Sequence, residues 1–563
     1  MAPAPPPVVV GVDLGSNSAR ALALGPDGRT LGSATAGYPG SPSWRPGRAD
    51  PEGWLAGAVD AVRRLAGRLP AASAPVALGF GGQSPTTVAV RGDGTATALT
   101  CRHPAGATGS PVEQHLAQHA AAGADSTPWQ LYDWVMARLG ADRHQSRWPG
   151  DPRLDGYGPL ARTGTVTGTA SGAYGIPAGT PLVAGAQDAY LAFWAGGLDR
   201  AGRAMDPGGR TGGLAVAVAA GSPAADHYAL PSAVPGLDIV GGPVAAHGLM
   251  LEWLSTLTGR AVPELLALAG QVPPGARGVT VTPYLEGERA PRWNRDLRGE
   301  IHGLSSAAGP GEIARAAVEG AAYGLAHIAV GLAAGGAPLD TLVCAGSPAR
   351  SRLWCEVKAA VLGVRVEVPD PVDVAAYGAA LAAGAGAGWW PQPGTGRGGD
   401  WPRPRMTVIE PEPDPAYEEG LGLFLALGDA EVARLAGRAR NRGTAAPTAQ
   451  EPQARGPEAR EPQARGQETQ TRKAPEAPAP DPRTPGAPPP VRTAPRTPTR
   501  DREAPQPSPP VRKAPQARST GRKAPRTPPT DRKAPQAPPT DREAPGTAAT
   551  DRYESQESRC PTP

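Results

Sequence analysis

Lysine is almost missing from this sequence. Of 56 basic residues five are lysines, and one of them, Lys358, falls within the first 440 positions. No G-x-x-x-x-G-K-[ST] occurs, which excludes a Walker A site with its phosphate-bound lysine. A phosphate gripped by the folded part must instead meet backbone amides, hydroxyls, arginine or a metal. Cysteine is scarce too: the four (Cys101, Cys344, Cys355, Cys560) show neither C-x-x-C spacing nor a disulfide framework, as suits a reducing cytoplasm. The opening MAPAPPPVVV lacks the charged and apolar regions of a signal peptide. Strongly apolar runs of membrane-spanning length are absent, and candidates such as Ala375–Trp390 are Ala- and Gly-rich.

What is abundant is glycine and proline, 75 and 70 of 563 residues. Residues 441–563 hold 28 of the prolines but only three large apolar side chains, Val491, Val511 and Tyr553. Such a segment cannot bury enough surface to offset its ordering entropy, so a disordered Pro/Arg-rich tail is expected. It carries 22 Lys and Arg against 14 Asp and Glu, leaving 34 against 38 in residues 1–440. The net charge of +4 therefore describes neither part, and it is no sign of a nucleic-acid-binding core. From 501 the tail repeats in steps of ten, as in DRKAPQAPPT then DREAPGTAAT. No block has an apolar face to stack, so the period does not make a solenoid. The sequence names no partner for it.

The first 440 residues alternate strand-like and helix-like pieces. Val8–Val12 and Ala19–Leu24 read as strands around a polar Gly-bearing turn. Pro51–Leu69 reads as a helix, with Trp54, Leu55, Val59, Val62 and Leu65 at helical spacing. Pro75–Phe80, Leu182–Gly185, Gly213–Val218, Leu342–Ala345 and Val364–Val368 read as strands. Ala314–Leu332 and Ser351–Leu362 read as helices. This order predicts an α/β protein with helix-covered sheets. The openings at 8–24 and 181–218 look like the starts of two related halves.

Four constellations can carry chemistry. In Asp13-Leu-Gly15-Ser16-Asn17-Ser18, a strand-end carboxylate precedes Gly and small polar residues. That pattern can cradle phosphate with amides and hold a metal, or form an ordinary turn. Asp188 in Gly185-Ala-Gln-Asp188-Ala189 ends a buried strand, where it can accept a proton from a bound hydroxyl or cap the following helix. The Gly208–Gly213 loop, with Gly209, Arg210, Thr211 and Gly212, lets backbone approach an anion closely. Gly346 to Arg350 joins a strand to a helix, as a nucleotide site or a plain joint. Blander readings fit the rest. His115 and His119 suit an exposed helix face, Gly394–Gly399 a linker, Trp253 the core, and Glu286, Glu288 and Arg289 an ion-pair network or the cleft floor.

The order of these motifs resembles the FGGY carbohydrate kinases, xylulokinases and gluconate kinases in particular. Asp13-x-Gly-x-x-Ser18, Gly81-Gly82-Gln83, Gly179-Thr-Pro-Leu-Val-Ala-Gly-x-x-Asp188-Ala and the Gly208–Gly213 loop come first. Pro283-Tyr-Leu-x-Gly-Glu288-Arg289-Ala-Pro291, Arg298-Gly-x-x-x-Gly303-Leu304, Gly346-x-x-Ala-Arg350-Ser-x-Leu-Trp354 and Tyr377-Gly-Ala-Ala complete the series, within residues 8–390. The resemblance implies two actin-like (ribonuclease H-like) domains around a central cleft, at 1–199 for sugar and 200–440 for ATP, followed by the tail at 441–563. It implies transfer of the γ-phosphate of ATP, with Mg²⁺, to a hydroxyl of a ketose, polyol or sugar acid. Asp188 matches the base. Asp13 (near Mg²⁺), Gly15, Ser16, Asn17 and Ser18 match the first phosphate loop, and Gly209, Thr211 and Gly212 the second. Gly346 and Arg350 match the adenosine motif, while Gln83, Ser84 and Asp188 match the sugar contacts. A cytoplasmic enzyme that takes sugar and ATP, without nucleic acid or membrane and with room for a homodimer, follows. Three departures from the family pattern stand out, and the last two leave the sugar unnamed. Arg210 stands where the family has Thr, Thr100–Thr108 replaces its Trp-x-Asp-x-Arg segment, and Ser84-Pro85 replaces the xylulokinase Met-His. An idle actin-like sugar or nucleotide binder acting through the tail is the alternative.

Overall fold

The computed structural model describes residues 6–38, 48–70, 73, 75–84, 86–100, 117–118, 120–123, 125–142, 163–222, 229–397 and 399–441. All belong to one of the chain's two compact units, Met1–Gln463. The tail expected at 441–563 lies outside them, apart from Asn441.

β1 (Val8–Leu14) is buried at every position, as a strand covered on both faces should be. Each of its Val and Leu side chains contributes on the order of 1.5–3 kcal/mol by leaving water. β2 (Ser18–Leu24) returns antiparallel to it, and β3 (Thr30–Gly37) antiparallel to β2. Helix α1 (Glu52–Ala66) then buries Trp54, Leu55, Val59 and Leu65, much as the spacing predicts. β4 (Pro75–Gly82) lies parallel to β1 on its other side. Helix α2 (Leu131–Leu139), edge strand β5 (Val166–Thr169) and β6 (Pro181–Gln187) follow, with β6 parallel to β4. The resulting six-stranded sheet has the order β3-β2-β1-β4-β6-β5.

Helix α3 (Asp188–Ala195) leads to a second sheet. It contains β7 (Arg203–Asp206), β8 (Gly212–Ala219), β9 (Ala229–Pro231), β10 (Leu237–Val244), β11 (Thr341–Cys344), β12 (Arg365–Asp370) and β13 (Arg405–Ile409). Its order is β9-β10-β8-β7-β11-β12-β13. Strands β10, β8 and β7 form an antiparallel trio, β11 and β12 continue parallel to β7, and β13 closes antiparallel. The first sheet repeats this pattern strand for strand, β9 apart. Two related halves are thus present, but the second opens at 203–219. The expected opening at 181–218 is corrected, because Pro181–Gln187 pairs inside the first sheet.

Helices α4 (Gly248–Thr258), α5 (Val262–Ala269), α6 (Pro310–Ala334), α7 (Arg352–Leu362), α8 (Val374–Gly386) and α9 (Pro415–Asn441) follow, alongside a four-stranded and a two-stranded sheet. α6 is long and apolar enough to cross a bilayer, yet 78% of its apolar window is buried inside the protein. The Ala/Gly-rich α8 packs on the first sheet. A Cβ on Gly11 of β1 would stand 2.1 Å from the carbonyl oxygen of Ala376, so only glycine permits this approach. Trp253 is not core: it is 37% exposed, because Met250, Leu251 and Leu254 take the inner face of α4.

Candidate active site

The β1–β2 turn is tied down from several sides. Gly15 donates its amide to the Ser18 carbonyl at 3.2 Å, and Gly15's own carbonyl accepts from the Tyr38 hydroxyl at 2.9 Å. Ser16 donates to the side chain of Gln83 at 2.9 Å, just past the end of β4. Asp13, at the penultimate position of β1, is buried, and its Oδ2 accepts from Arg20 at 3.3 Å. Arg20 lies directly across the hairpin from Asp13 in register and also reaches Asp373 Oδ1 at 3.5 Å. The second carboxylate oxygen of Asp13 is buried without a hydrogen-bond partner.

Asp188 is the first residue of α3, immediately after β6. It does not cap the helix; Gln187 stands at that position, and Asp188 Oδ1 accepts from the adjacent Ala189 amide at 2.8 Å. Burial and the nearby Asp13 carboxylate push the Asp188 carboxyl up to about 7. Burial pushes Asp13 up to about 6 against the opposing pull of Arg20, with Asp373 adding to the rise. Both groups therefore hold their protons far closer to neutrality than ordinary carboxyls do.

The β7–β8 loop is the counterpart of the β1–β2 turn in the second sheet. Gly208 and Gly209 adopt positive φ of 63° and 124°, as a tight anion-accepting curve needs. The N-terminal end of α4 braces the loop from behind. His247 and Leu249 donate amides to the Arg210 carbonyl at 2.9 and 3.0 Å, and Gly248 donates to the Gly209 carbonyl at 3.0 Å. Arg210 itself is ion-paired with Glu252 of α4. Gly346 follows β11 at φ 70°, and a Cβ there would lie 2.6 Å from the Pro207 carbonyl oxygen. The third motif thus backs directly onto the second.

A cleft of about 470 Å³ lies where these pieces meet. Asp13, Gly15, Ser16, Asn17, Ser84 and Asp188 line it from the first sheet's side, and Gly209, Thr211, Gly212 and Gly346 from the second's. Ser18, Gln83 and Arg350 are not on its wall. Ser18 holds the turn through its carbonyl, Gln83 is buried behind Ser16, and Arg350 reaches out to Asp373 Oδ2 at 3.0 Å. Sequence reasoning missed Arg20, Asp373 and Glu252, all on the wall. The Asp13–Arg20 pair was findable from hairpin register alone. Arg289 is on the wall too, whereas Glu288 is buried and pairs with Arg292 at 3.1 Å. His115, His119, Pro85 and Cys101–Thr108 lie outside the described residues.

The donor set suits a divalent cation beside a phosphorylated ligand. Asp13 offers a buried, unpartnered carboxylate oxygen, and the two raised carboxyls would be drawn down by an added positive charge. Both glycine loops border the cleft, with the small polar residues Ser16, Asn17 and Thr211 on its wall. The arrangement can seat a polyphosphate across the cleft and offer one carboxylate to a hydroxyl proton.

Residues 219–387 match the C-terminal domain of the FGGY family of carbohydrate kinases. The chain is 35% identical over 204 residues to a glycerol kinase from Gloeobacter violaceus, covering 35% of this chain and 41% of that one. It is 33% identical over 223 residues to a xylulose kinase from Escherichia coli, covering 39% and 46%. The chain thus spans less than half the length of these curated relatives. Its fold matches that of a ligand-bound xylulose kinase from Lactobacillus acidophilus, with a TM-score of 0.64 and 18% identity over 75% of this chain and 98% of that one.

Proposed function

With residues 219–387 forming an FGGY carbohydrate-kinase C-terminal domain, we propose that the protein transfers the γ-phosphate of ATP to a hydroxyl of a small sugar, polyol or sugar acid. We divide it at 199/200 into a sugar-side and an ATP-side domain, with 441–563 as a separate tail. The observation that carries the reading is the placement of Asp188 and Asp13 in one cleft with both glycine loops.

Phosphoryl transfer asks a protein for positioning and charge neutralisation more than for covalent work. Asp188 takes the proton of the attacking hydroxyl, and an acidity near neutral is where a general base is most effective. Ser84, with Gln83 behind it, orients the acceptor. Amides of the Gly15–Ser18 turn and of the Gly209–Gly212 loop receive phosphate oxygens, and Gly346 lets its own loop pack against the Pro207–Gly208 backbone at the cleft wall. Asp13 would hold Mg²⁺, which supplies charge neutralisation at the phosphates. Closure of the cleft excludes water and so limits idle hydrolysis. We place the reaction in the cytoplasm, where ATP is available.

The test is ADP release from purified protein with Mg-ATP across pentuloses, hexuloses, polyols and aldonates. One acceptor class giving turnover, abolished in Asp188→Ala, supports reaction and base together. ATP binding without turnover on any acceptor would move the protein to the idle-binder class.

A further inference from the structure

Behind the β7–β8 loop, away from the cleft, lies a charged cluster that the proposed reaction does not use. Asp206 ends β7 with its side chain fully buried. Its Oδ1 accepts from the Gly208 amide at 3.0 Å and the Gly213 amide at 3.4 Å, so one oxygen closes the loop at both ends. Its Oδ2 lies 2.5 Å from Lys358 Nζ, also fully buried, and 3.2 Å from His247 Nε2. Trp354, one turn before Lys358 on α7, stacks on the His247 ring at 5.2 Å and 12°, with the ammonium 5.7 Å from its ring centre. The imidazole in turn fills the space beside Gly212, where a Cβ would stand 2.8 Å from Nδ1.

We propose that Asp206, Lys358 and His247 form a buried clamp that holds the Gly208–Gly213 loop in its anion-receiving shape. Within it, Lys358 cancels the charge that Asp206 would otherwise set beneath an incoming phosphate. Loop closure by hydrogen bonds to a carboxylate is firmer than to a neutral acceptor, but a bare carboxylate there would repel the ligand. Lys358 holds the Asp206 carboxyl far below its ordinary range, and Asp206 holds the ammonium above its own, so the pair is ionised and net neutral. Burial keeps His247 below its usual value, and therefore uncharged. A lysine thus serves the phosphate seat without touching it, in a region that has no other. All three are positioning residues. The role of the loop as a phosphate seat rests on the proposed kinase reading.

The experiment compares the full chain with Lys358→Met and with Asp206→Asn/Lys358→Met. Titration calorimetry reads Mg-ADP affinity, and hydrogen exchange reads the loop amides without nucleotide. Lys358→Met leaves an unpaired buried carboxylate, and should weaken ADP by at least about tenfold and speed loop exchange by a similar factor. The acceptor KM should stay put. The double variant restores neutrality, and its amide oxygen can accept the same two N–H bonds, so both readouts should return to within about threefold of the parent. A folded Lys358→Met with parental affinity and loop exchange would overturn the clamp, as would a double variant no better than the single. Should Lys358→Met not fold, the double variant decides by the same two readouts. A parent protein that binds no nucleotide defeats the phosphate-seat reading instead, while the exchange arm still judges the clamp.

Discussion

Ser16 donates its hydroxyl to Oε1 of Gln83 at 2.9 Å, joining the first glycine turn to the residue beyond β4. The Gln83 amide nitrogen, buried beside it, finds no partner among the described residues. A buried donor without an acceptor costs about 1–3 kcal/mol, and an acceptor hydroxyl entering next to Ser84 would relieve that cost. Gln83→Leu should therefore raise the KM of the phosphate acceptor by about tenfold. Initial rates with each substrate varied in turn should show the KM for ATP within about twofold of the parent. An equal rise for both substrates would mean that Gln83 serves the turn and not the acceptor.

The acidity of Asp188 sets the pH dependence. Its carboxyl is pushed up to about 7, and the base must be ionised to act. The rate per acceptor, kcat/KM, should fall at low pH and level off toward neutrality, with a midpoint below about 7 because Mg²⁺ held at Asp13 would draw both carboxyls down. Because Asp13 is raised to about 6 in the same cleft, the apparent value belongs to the pair. The stability trend runs the opposite way. A folded carboxyl raised above its unfolded value of 3.8 contributes stability that is fully present below that value and lost as pH rises through about 7. Protein without nucleotide or metal should melt lower at pH 8 than at pH 6 from this source, and Asp188→Asn should narrow the difference. Thermal melts at the two pH values check it, and a rate flat from pH 5 to 8 would remove Asp188 from the role of base.

Much of this site was legible in the chain, because strand ends and glycines punctuate it. The branched run Val8–Val12 foretells a fully buried strand, and Asp13 and Asp188 sit at strand ends where their motifs suggest. What escaped depends on partners far away in sequence. Arg203–Asp206 does not read as a strand, since half its residues are charged, yet it is buried. Arg203 meets Glu367 at 2.6 Å and Asp206 meets Lys358, pairings invisible to local periodicity. Trp253 sits at helical spacing among apolar neighbours, and only the packing of α4 shows which face turns outward. Helix α9 mixes charged and apolar residues weakly enough to hide, although it buries Phe424 completely.

Arg210 occupies the loop position where the resembling kinases carry threonine, and Glu252 holds its guanidinium from the next helix. Its Nε is buried without a partner among the described residues, so the group retains one unused donor at the cleft wall. Glu252→Gln should loosen that hold and strengthen the cation's interaction with the terminal phosphate. Affinity for a non-hydrolysable ATP analogue should rise relative to ADP, by about threefold to tenfold, as for a modest charge-assisted hydrogen bond. Arg210→Ala should reverse the preference. Calorimetry with both nucleotides distinguishes this from a structural pair, which would shift both affinities together.

The tail and α9 should answer truncation in opposite ways. Residues 442–563 offer almost no large apolar side chains to a core, so a chain ending at Asn441 should keep its melting temperature and its turnover. α9 is different. Arg315 of α6 donates to the Tyr417 hydroxyl at 2.6 Å while pairing with Glu319, and Arg292 bridges Glu288 to Asp429. Phe424 packs against Tyr284 and Tyr323 at ring separations of 6.0 and 5.8 Å. A chain ending at Asp414 would expose these rings and leave Arg315 without its Tyr417 partner, at a cost of several kcal/mol. It should aggregate or melt far below the parent, by calorimetry and light scattering. Equal stability of both truncated chains would show that α9 adds nothing to the core, and loss of soluble protein on cutting at Asn441 would place the domain boundary further along the chain.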